Sequence, residues 1–271
     1  GRCAHRRPTR LQGSRRRMNQ TPNDNAAKWD KGPAADAQRR ARLVDAAASM
    51  QLGLGDAVVD RLMAYLALMQ QWNKVYNLTA LRHPDEMLSH HLLDCLAVLP
   101  PLRRHLGMDA TGAAVAPAAP QTILDVGSGG GLPGVVLAAA EPSWQVSCVD
   151  AVGKKATFVR QVAAELRLPN LRGLHARVET LAAADAGTGA GAGAGYDVIT
   201  SRAFASLHDF VSLTAHLLAP GGVWMAMKGK QPDEEVAALP ADVDVFHVEQ
   251  LSVPGLDDAQ RCLIWMRRRP N

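Results

Sequence analysis

The chain has 271 residues, 47% of them apolar, which is enough to bury a full core, and it lacks the run of about 18 apolar residues that crosses a membrane. Its four cysteines, Cys3, Cys95, Cys148 and Cys262, are scattered without a C-x-x-C pair or a histidine cluster, so they read as reduced thiols and predict neither a disulfide framework nor a metal site. The formal charge of +4 sits in the start: residues 1–17 carry seven arginines and no acid, leaving 23 basic against 26 acidic groups over 18–271, so a general nucleic-acid coat is excluded and any RNA contact must use a local basic patch.

Residues 1–35, rich in Arg, Asn, Pro and Gly without apolar periodicity, are expected to be a disordered basic extension. A nucleic-acid arm, an arginine-rich transit peptide and sequence upstream of a start at Met18 are the readings, the last being favoured. Residues 36–109 are expected to form a helical cap. In it Val58, Val59, Leu62, Met63, Leu66 and Met69 recur at three- and four-residue steps and mark one buried face. Pro84-Asp85-Glu86 signals a helix start, and that helix is expected to run to Leu99 and stop at Pro100-Pro101. Residues 110–120, rich in Ala and Pro, read as a linker to a domain spanning 121–271.

From 121 onward strand and helix alternate. Strands are predicted near 122–127, 146–150, 171–177, 196–202 and 222–228, and helices near 132–140, 153–167 and 206–218, which makes an α/β, mostly parallel, doubly wound sheet. The Gly/Ala run 186–195 reads as a loop insert. The last strand-like runs, 244–253 and 261–268, are joined by Pro254-Gly255-Leu256-Asp257-Asp258, too short for a parallel crossover, so they are expected to pair antiparallel.

The most informative stretch is Thr122-Ile-Leu-Asp-Val-Gly-Ser-Gly-Gly-Gly-Leu-Pro-Gly134, a strand ending in a glycine-rich turn that opens a helix. Glycine suits such a turn because it accepts positive φ and has no Cβ to hold a ligand away from the main chain. Asp150 follows at the end of the next apolar run, at the spacing where α/β sheets place a carboxylate on ribose hydroxyls. Gly129, Gly131 and Gly134 satisfy the dinucleotide pattern G-x-G-x-x-G, whereas Asp125-x-Gly127-x-Gly129-x-Gly131 satisfies the form found in S-adenosylmethionine (SAM) methyltransferases. Glycines serving only strand–helix packing are the third reading. The antiparallel hairpin is how SAM methyltransferases end, and a dehydrogenase would need a substrate domain for which no residues remain.

Trp72-Asn73-Lys74-Val75-Tyr76-Asn77-Leu78-Thr79, His91-x-x-Asp94, the glycine turn, Ser201-Arg202-Ala203-Phe204-Ala205 and Met227-Lys228-Gly229 occur in this order. Together they closely resemble the ribosomal RNA small-subunit methyltransferase G family, also called glucose-inhibited division protein B, over about residues 45–268. The resemblance implies a Rossmann-like fold under the helical cap and a bacterial, cytoplasmic enzyme that uses SAM to methylate N7 of one guanine in 16S rRNA. It implies 16S rRNA or the small ribosomal subunit as partner, with no membrane and no metal; a monomer is expected. The arginine-rich start and the Gly/Ala insert depart from the family pattern without touching its motifs. A nicotinamide-dinucleotide oxidoreductase, or a non-catalytic RNA-binding protein on the same fold, is the alternative.

Carried over by position, the resemblance sets Gly127, Leu132, Val178, Glu179 and Arg202 against SAM, and the residue pattern adds Gly129 of the turn and Asp150. In that arrangement Glu179 accepts the adenine amino group and Asp150 holds the ribose hydroxyls; the other reading of Glu179 is a solvated strand-end acid. Guanine N7 is a ring acceptor without a proton, so its attack on a sulfonium methyl needs no general base. Positioning remains, and Arg202 and Lys228, ending adjacent strands, are the candidates to hold guanine O6 or a flanking phosphate. Arg202 could equally pair with an acid such as Asp125 or Asp150, and Lys228 could be a solvated strand end. Lys154, Lys155 and Arg160 are candidate phosphate contacts or a solvated helix face. His91 with His90 reads as structural, and Trp72 with Tyr76 as packing within the cap, ahead of RNA contact in both cases.

Overall fold

Consecutive residues of a strand face opposite sides of a sheet, and the apolar residues here divide accordingly. Ile123 and Leu124, Val198 and Ile199, and Trp224 and Met225 each send one member to either of two cores. In the computed structural model, residues 31–109, 112–113, 120–186 and 195–271 are described; the expectations for residues 1–30, for most of the 110–120 linker and for 187–194 of the Gly/Ala insert fall outside them.

The sheet has seven strands: β1 (Gln121–Val126), β2 (Trp144–Asp150), β3 (Leu171–His175), β4 (Tyr196–Ser201), β5 (Leu218–Lys228), β6 (Val243–Leu251) and β7 (Arg261–Arg268). Their order is β3-β2-β1-β4-β5-β7-β6. The first five are parallel, and β7 lies antiparallel between β5 and β6. This is the Rossmann-like methyltransferase sheet with its antiparallel C-terminal hairpin that the residue pattern predicts. Helices α1 (Pro33–Ser49), α2 (Asp56–Tyr76), α3 (Pro84–Met87), α4 (Asp94–Leu96) and α5 (Leu99–His105) precede it, with α6 (Gly134–Ala140), α7 (Gly153–Glu165), α8 (Leu207–Thr214) and α9 (Asp233–Ala237) within it.

Several boundaries differ from expectation: β5 starts at Leu218, inside the helix expected over 206–218, which ends as α8 at Thr214, and β3 ends at His175 rather than 177. Residues 33–35 belong to α1 rather than to the extension, because Pro33 occupies the first turn, where a missing N–H costs nothing. The single helix expected from 84 to 99 passes through a π-helical turn over Leu88–Leu93 and ends at Leu96, three residues early, and Pro100-Pro101 are not the stop but part of the next helix. They occupy the first turn of α5, for the same reason that Pro33 fits α1.

One core runs continuously from the cap into the sheet: Leu62, Met69, Leu92 and Leu96 join Val135, Val136, Val159 and Met225. Of the predicted apolar stripe of α2, Val59, Leu62, Leu66 and Met69 are buried and Val58 and Met63 half-buried, with Tyr65 and Leu68 added to it. That Tyr65 hydroxyl donates to the Gly130 carbonyl at 2.5 Å, bracing the glycine turn from the cap. A buried ion pair, Arg103 Nε to Glu141 Oε1 at 2.5 Å, ties α5 to the end of α6. Among the described residues no helix is long and apolar enough to cross a membrane.

Candidate functional site

Parallel strands end on one side of the sheet, and the turn after β1 crosses those ends. Gly127 and Gly129 take positive φ, 63° and 57°, which side chains rarely adopt. A Cβ on Gly127 would also lie 2.8 Å from the Phe204 ring. The turn is held by two carboxylates: Asp150 Oδ2 accepts from Gly129 N at 2.9 Å, and Asp125 Oδ2 from Gly134 N at 2.8 Å.

Asp125 is fully buried, and its Oδ1 has no hydrogen-bond partner among the described residues. Burial drives the Asp125 carboxyl well above the usual carboxylate range, against the Gly134 N–H and the charge of Arg202. A buried carboxyl held this way, with one oxygen unsatisfied, would be drawn to its ionised form by a cation bound close by, although Asp125 itself lines neither cavity described below. SAM carries an ammonium and a sulfonium, so the donor set fits that cofactor.

A cavity of about 270 Å³ opens beside the turn, lined by Gly127, Asp150, Val178, Glu179, Arg177 and Phe204 among others. Four of the residues proposed to contact SAM therefore gather on it. Gly129, Leu132 and Arg202 lie outside its lining: Gly129 gives its N–H to Asp150, Leu132 is buried in the core, and Arg202 belongs to a second cavity. Asp150 Oδ1 accepts from Val152 N at 2.8 Å. Each of its oxygens thus takes one backbone N–H and keeps a lone pair for a hydroxyl donor. Glu179, in the short 3₁₀ turn Val178–Thr180, is exposed and accepts from Arg177 Nε at 2.9 Å; that hydrogen bond holds its carboxyl below the ordinary range.

The second cavity, about 380 Å³, is lined by Thr79, His91, Asp94, Arg202, Lys228 and Arg261 with their neighbours. Arg202 and Lys228 do face one cleft, as adjacent strand ends require. The acid beside Arg202 is Asp94, not Asp125 or Asp150: Arg202 Nη1 lies 3.5 Å from Asp94 Oδ2. The cap delivers that carboxylate across the strand ends, a pairing that spacing along the chain does not reveal. Arg202 also donates to the His90 carbonyl at 2.9 Å and to His91 Nδ1 at 3.0 Å. Asp94 Oδ1 accepts from Arg261 Nε at 2.7 Å. Lys228 Nζ donates to the Ala205 carbonyl at 3.2 Å and to Glu235 Oε1 at 3.0 Å.

His91 is buried within this network. Burial first, and then the charge of Arg202, lower its pKa to about 3, so it is neutral near pH 7. Its structural reading agrees with that placement. Trp72 packs on Phe158 of α7 with ring centroids 5.3 Å apart, and Tyr76 packs on Trp72 at the same distance with the rings tilted by 43°. Lys154 sits over the Tyr76 ring, and Arg160 Nε donates to the Gly173 carbonyl at 2.8 Å; with Lys155, both line neither cavity.

Residue reasoning misses Arg261 as a site residue and gives Thr79, Asp94 and Phe204 only as parts of motifs. Asp94 stood in a quoted pattern and could have been followed up. Arg261, on the hairpin, carries no local signal.

The family model described as rRNA small subunit methyltransferase G matches residues 59–264. The ribosomal RNA small subunit methyltransferase G of Acidovorax sp. (strain JS42) is 56% identical over 225 residues, covering 83% of this chain and 93% of that protein. The protein of the same name from Leptothrix cholodnii is 57% identical over 230 residues, covering 85% and 96%. Among solved structures, TrmN from Thermus thermophilus superposes with a TM-score of 0.44 at 19% identity, over 67% of this chain and 53% of that one. A match to the family model over most of the length, joined by relatives this similar, means that the chain belongs to the rRNA small subunit methyltransferase G family.

Proposed function

We propose that this chain transfers the methyl group of SAM to N7 of one guanine in the 16S rRNA of the small ribosomal subunit, acting in the cytoplasm. The observation that carries the reading is the position of the segment after β4. Phe204 lines the first cavity, while Arg202 and Ala203 line the second, so the two cavities meet across three residues at the end of a central strand. A cofactor held in one and a base held in the other would be brought together there. The match to the family supports rRNA as the acceptor.

When bound, SAM supplies an activated methyl group that leaves a neutral thioether behind. The residues of this chain supply placement, which is worth about 7–11 kcal/mol when two reactants are aligned. Gly127 lets the backbone approach, Asp150 offers lone pairs to the ribose hydroxyls, and Val178 gives the adenine an apolar edge. Glu179, which now accepts from Arg177, would accept from the adenine amino group. On the base side, Arg202 is already fixed by three acceptors and contributes a pre-set cation, with Lys228 a second. Guanine N7 has no proton to lose, so neither residue must act as a base. Lys154, Lys155 and Arg160, on the α7 side of the cap junction, take flanking phosphates.

The test is transfer of labelled methyl from SAM to small subunits, and separately to naked 16S rRNA, taken from cells lacking this gene. Label recovered as 7-methylguanosine at a single 16S position is the expected result. Absence of label in both, with SAM binding intact, would overturn the substrate and leave the fold.

A further inference from the structure

The segment Asn77–Thr79, at the end of the motif that opens on Trp72, is held more rigidly than packing of the cap requires. Asn73, buried at the end of α2, accepts from Thr79 N at 2.9 Å and donates to the Leu81 carbonyl at 3.0 Å. Arg82 spans the same turn, donating to the Asn73 carbonyl at 2.9 Å and to Asn77 Oδ1 at 2.7 Å. The result is to fix Thr79 on the wall of the second cavity.

The polarity of its hydroxyl follows from its neighbours. An arginine only donates, so His91 Nδ1, 3.0 Å from Arg202 Nη2, accepts from it; the His90 carbonyl, 3.3 Å from the same nitrogen, is the longer contact and already takes Arg202 Nη1 at 2.9 Å. The single proton of the neutral ring is then on Nε2, which donates to Thr79 Oγ1 at 2.7 Å. Leu81 N donates to the same oxygen at 3.2 Å. Both lone pairs are taken, and the O–H has no acceptor among the described residues. Thr79 therefore meets a ligand as a donor and cannot accept.

Guanine shows two neighbouring acceptors on this edge, N7 and O6, whereas adenine shows N7 beside an N6 amino donor. We propose that the Thr79 hydroxyl donates to guanine O6 and selects guanine over adenine, its polarity set by the Arg202–His91 chain. This rests on the guanine-N7 reading above. Adenine would set its amino group against a hydroxyl with no lone pair to offer.

The experiment compares methylation rates, as kcat/KM, on subunits carrying the natural guanine and on subunits with that guanine changed to adenine in the 16S gene, using full-length protein. For Thr79→Val, guanine methylation is expected to fall about 10-fold or more and the guanine-to-adenine ratio to fall with it, since a site loses discrimination with the group that reads the difference. Thr79→Ser, which keeps the hydroxyl, should hold the wild-type ratio, and SAM affinity should be unchanged in both. Should Thr79→Val fail to bind SAM, Thr79→Cys replaces it, keeping the size with only a weak S–H donor. An unchanged ratio in the hydroxyl-free variant, or a ratio lost equally in Thr79→Ser, would overturn the assignment. Wild-type protein that makes no 7-methylguanosine on the guanine subunits would instead overturn the reading on which it rests.

Discussion

Asp94 is the point at which the cap and the sheet meet in charge, and Asp94→Asn tests that arrangement while nearly preserving shape. The carboxylate side chain is 5% exposed and faces two guanidinium groups, Arg261 at 2.7 Å and Arg202 at 3.5 Å, each about a quarter exposed. Removing one partner of a fully buried pair costs about 3–5 kcal/mol, whereas an exposed pair is worth at most about 1 kcal/mol. With the arginines mostly but not fully buried, the loss should be about 2–3 kcal/mol. The amide leaves two cations sharing one cleft and offers an N–H₂ toward one of them. In urea unfolding this corresponds to a midpoint lower by about 1 M, taking a slope of about 2–3 kcal/mol/M. Arg202 would lose part of its anchoring as well, so kcat should drop about 10-fold or more if alignment across the segment after β4 supplies the rate. SAM affinity should hold, because Asp94 lies outside the cofactor cavity. A variant with wild-type urea midpoint and wild-type kcat would refute the claim that Asp94 organises this cleft.

Gly127→Ala places a side chain at φ 63° and 2.8 Å from the Phe204 ring, so it should weaken SAM binding by about 10-fold or more, on a strain of about 1–2 kcal/mol before the clash, as titration calorimetry would read. Asp125→Asn removes a buried carboxyl whose ionised form is disfavoured; we expect thermal stability without SAM to hold or rise while SAM affinity falls about 10- to 100-fold, the weight of a hydrogen bond to a charged group. A variant that binds SAM normally would remove Asp125 from the cofactor site. For His91 the folded pKa lies near 3 and the unfolded one near 6.5, so between those values the unfolded chain binds the extra proton. Stability from this group is present above pH 6.5 and is lost as the pH falls toward 3, at up to about 1.4 kcal/mol per pH unit. His91→Gln should flatten the stability profile between about pH 5 and 6.5 in urea titrations; an unchanged slope would show that His91 already titrates normally in the fold.

Much of this molecule was legible along the chain because the signals are local. The turn 127–134 needs glycine at positive φ, the alternation of strand and helix reports burial on both faces of a parallel sheet, and a connection of nine residues, too short for a parallel crossover, compels the antiparallel hairpin β6–β7. Gly127, Asp150, Val178 and Glu179 fall on one cavity for the same reason: each sits at or just beyond the carboxyl end of a strand, and strand order brings those ends together. Helix continuity across 84–105 was not legible, since the π-turn and the prolines at α5 obey end effects that periodicity does not encode. The electrostatics of the second cavity was decided only by tertiary structure. Asp94 comes from the cap, Arg202 from the end of β4 and Arg261 from the hairpin, separated by 108 and 167 residues from that aspartate, and no periodicity or spacing rule links them. The polarity of the Thr79 hydroxyl has the same origin: it depends on which nitrogen of His91 faces Arg202, and that contact exists only once the cap has packed onto the sheet.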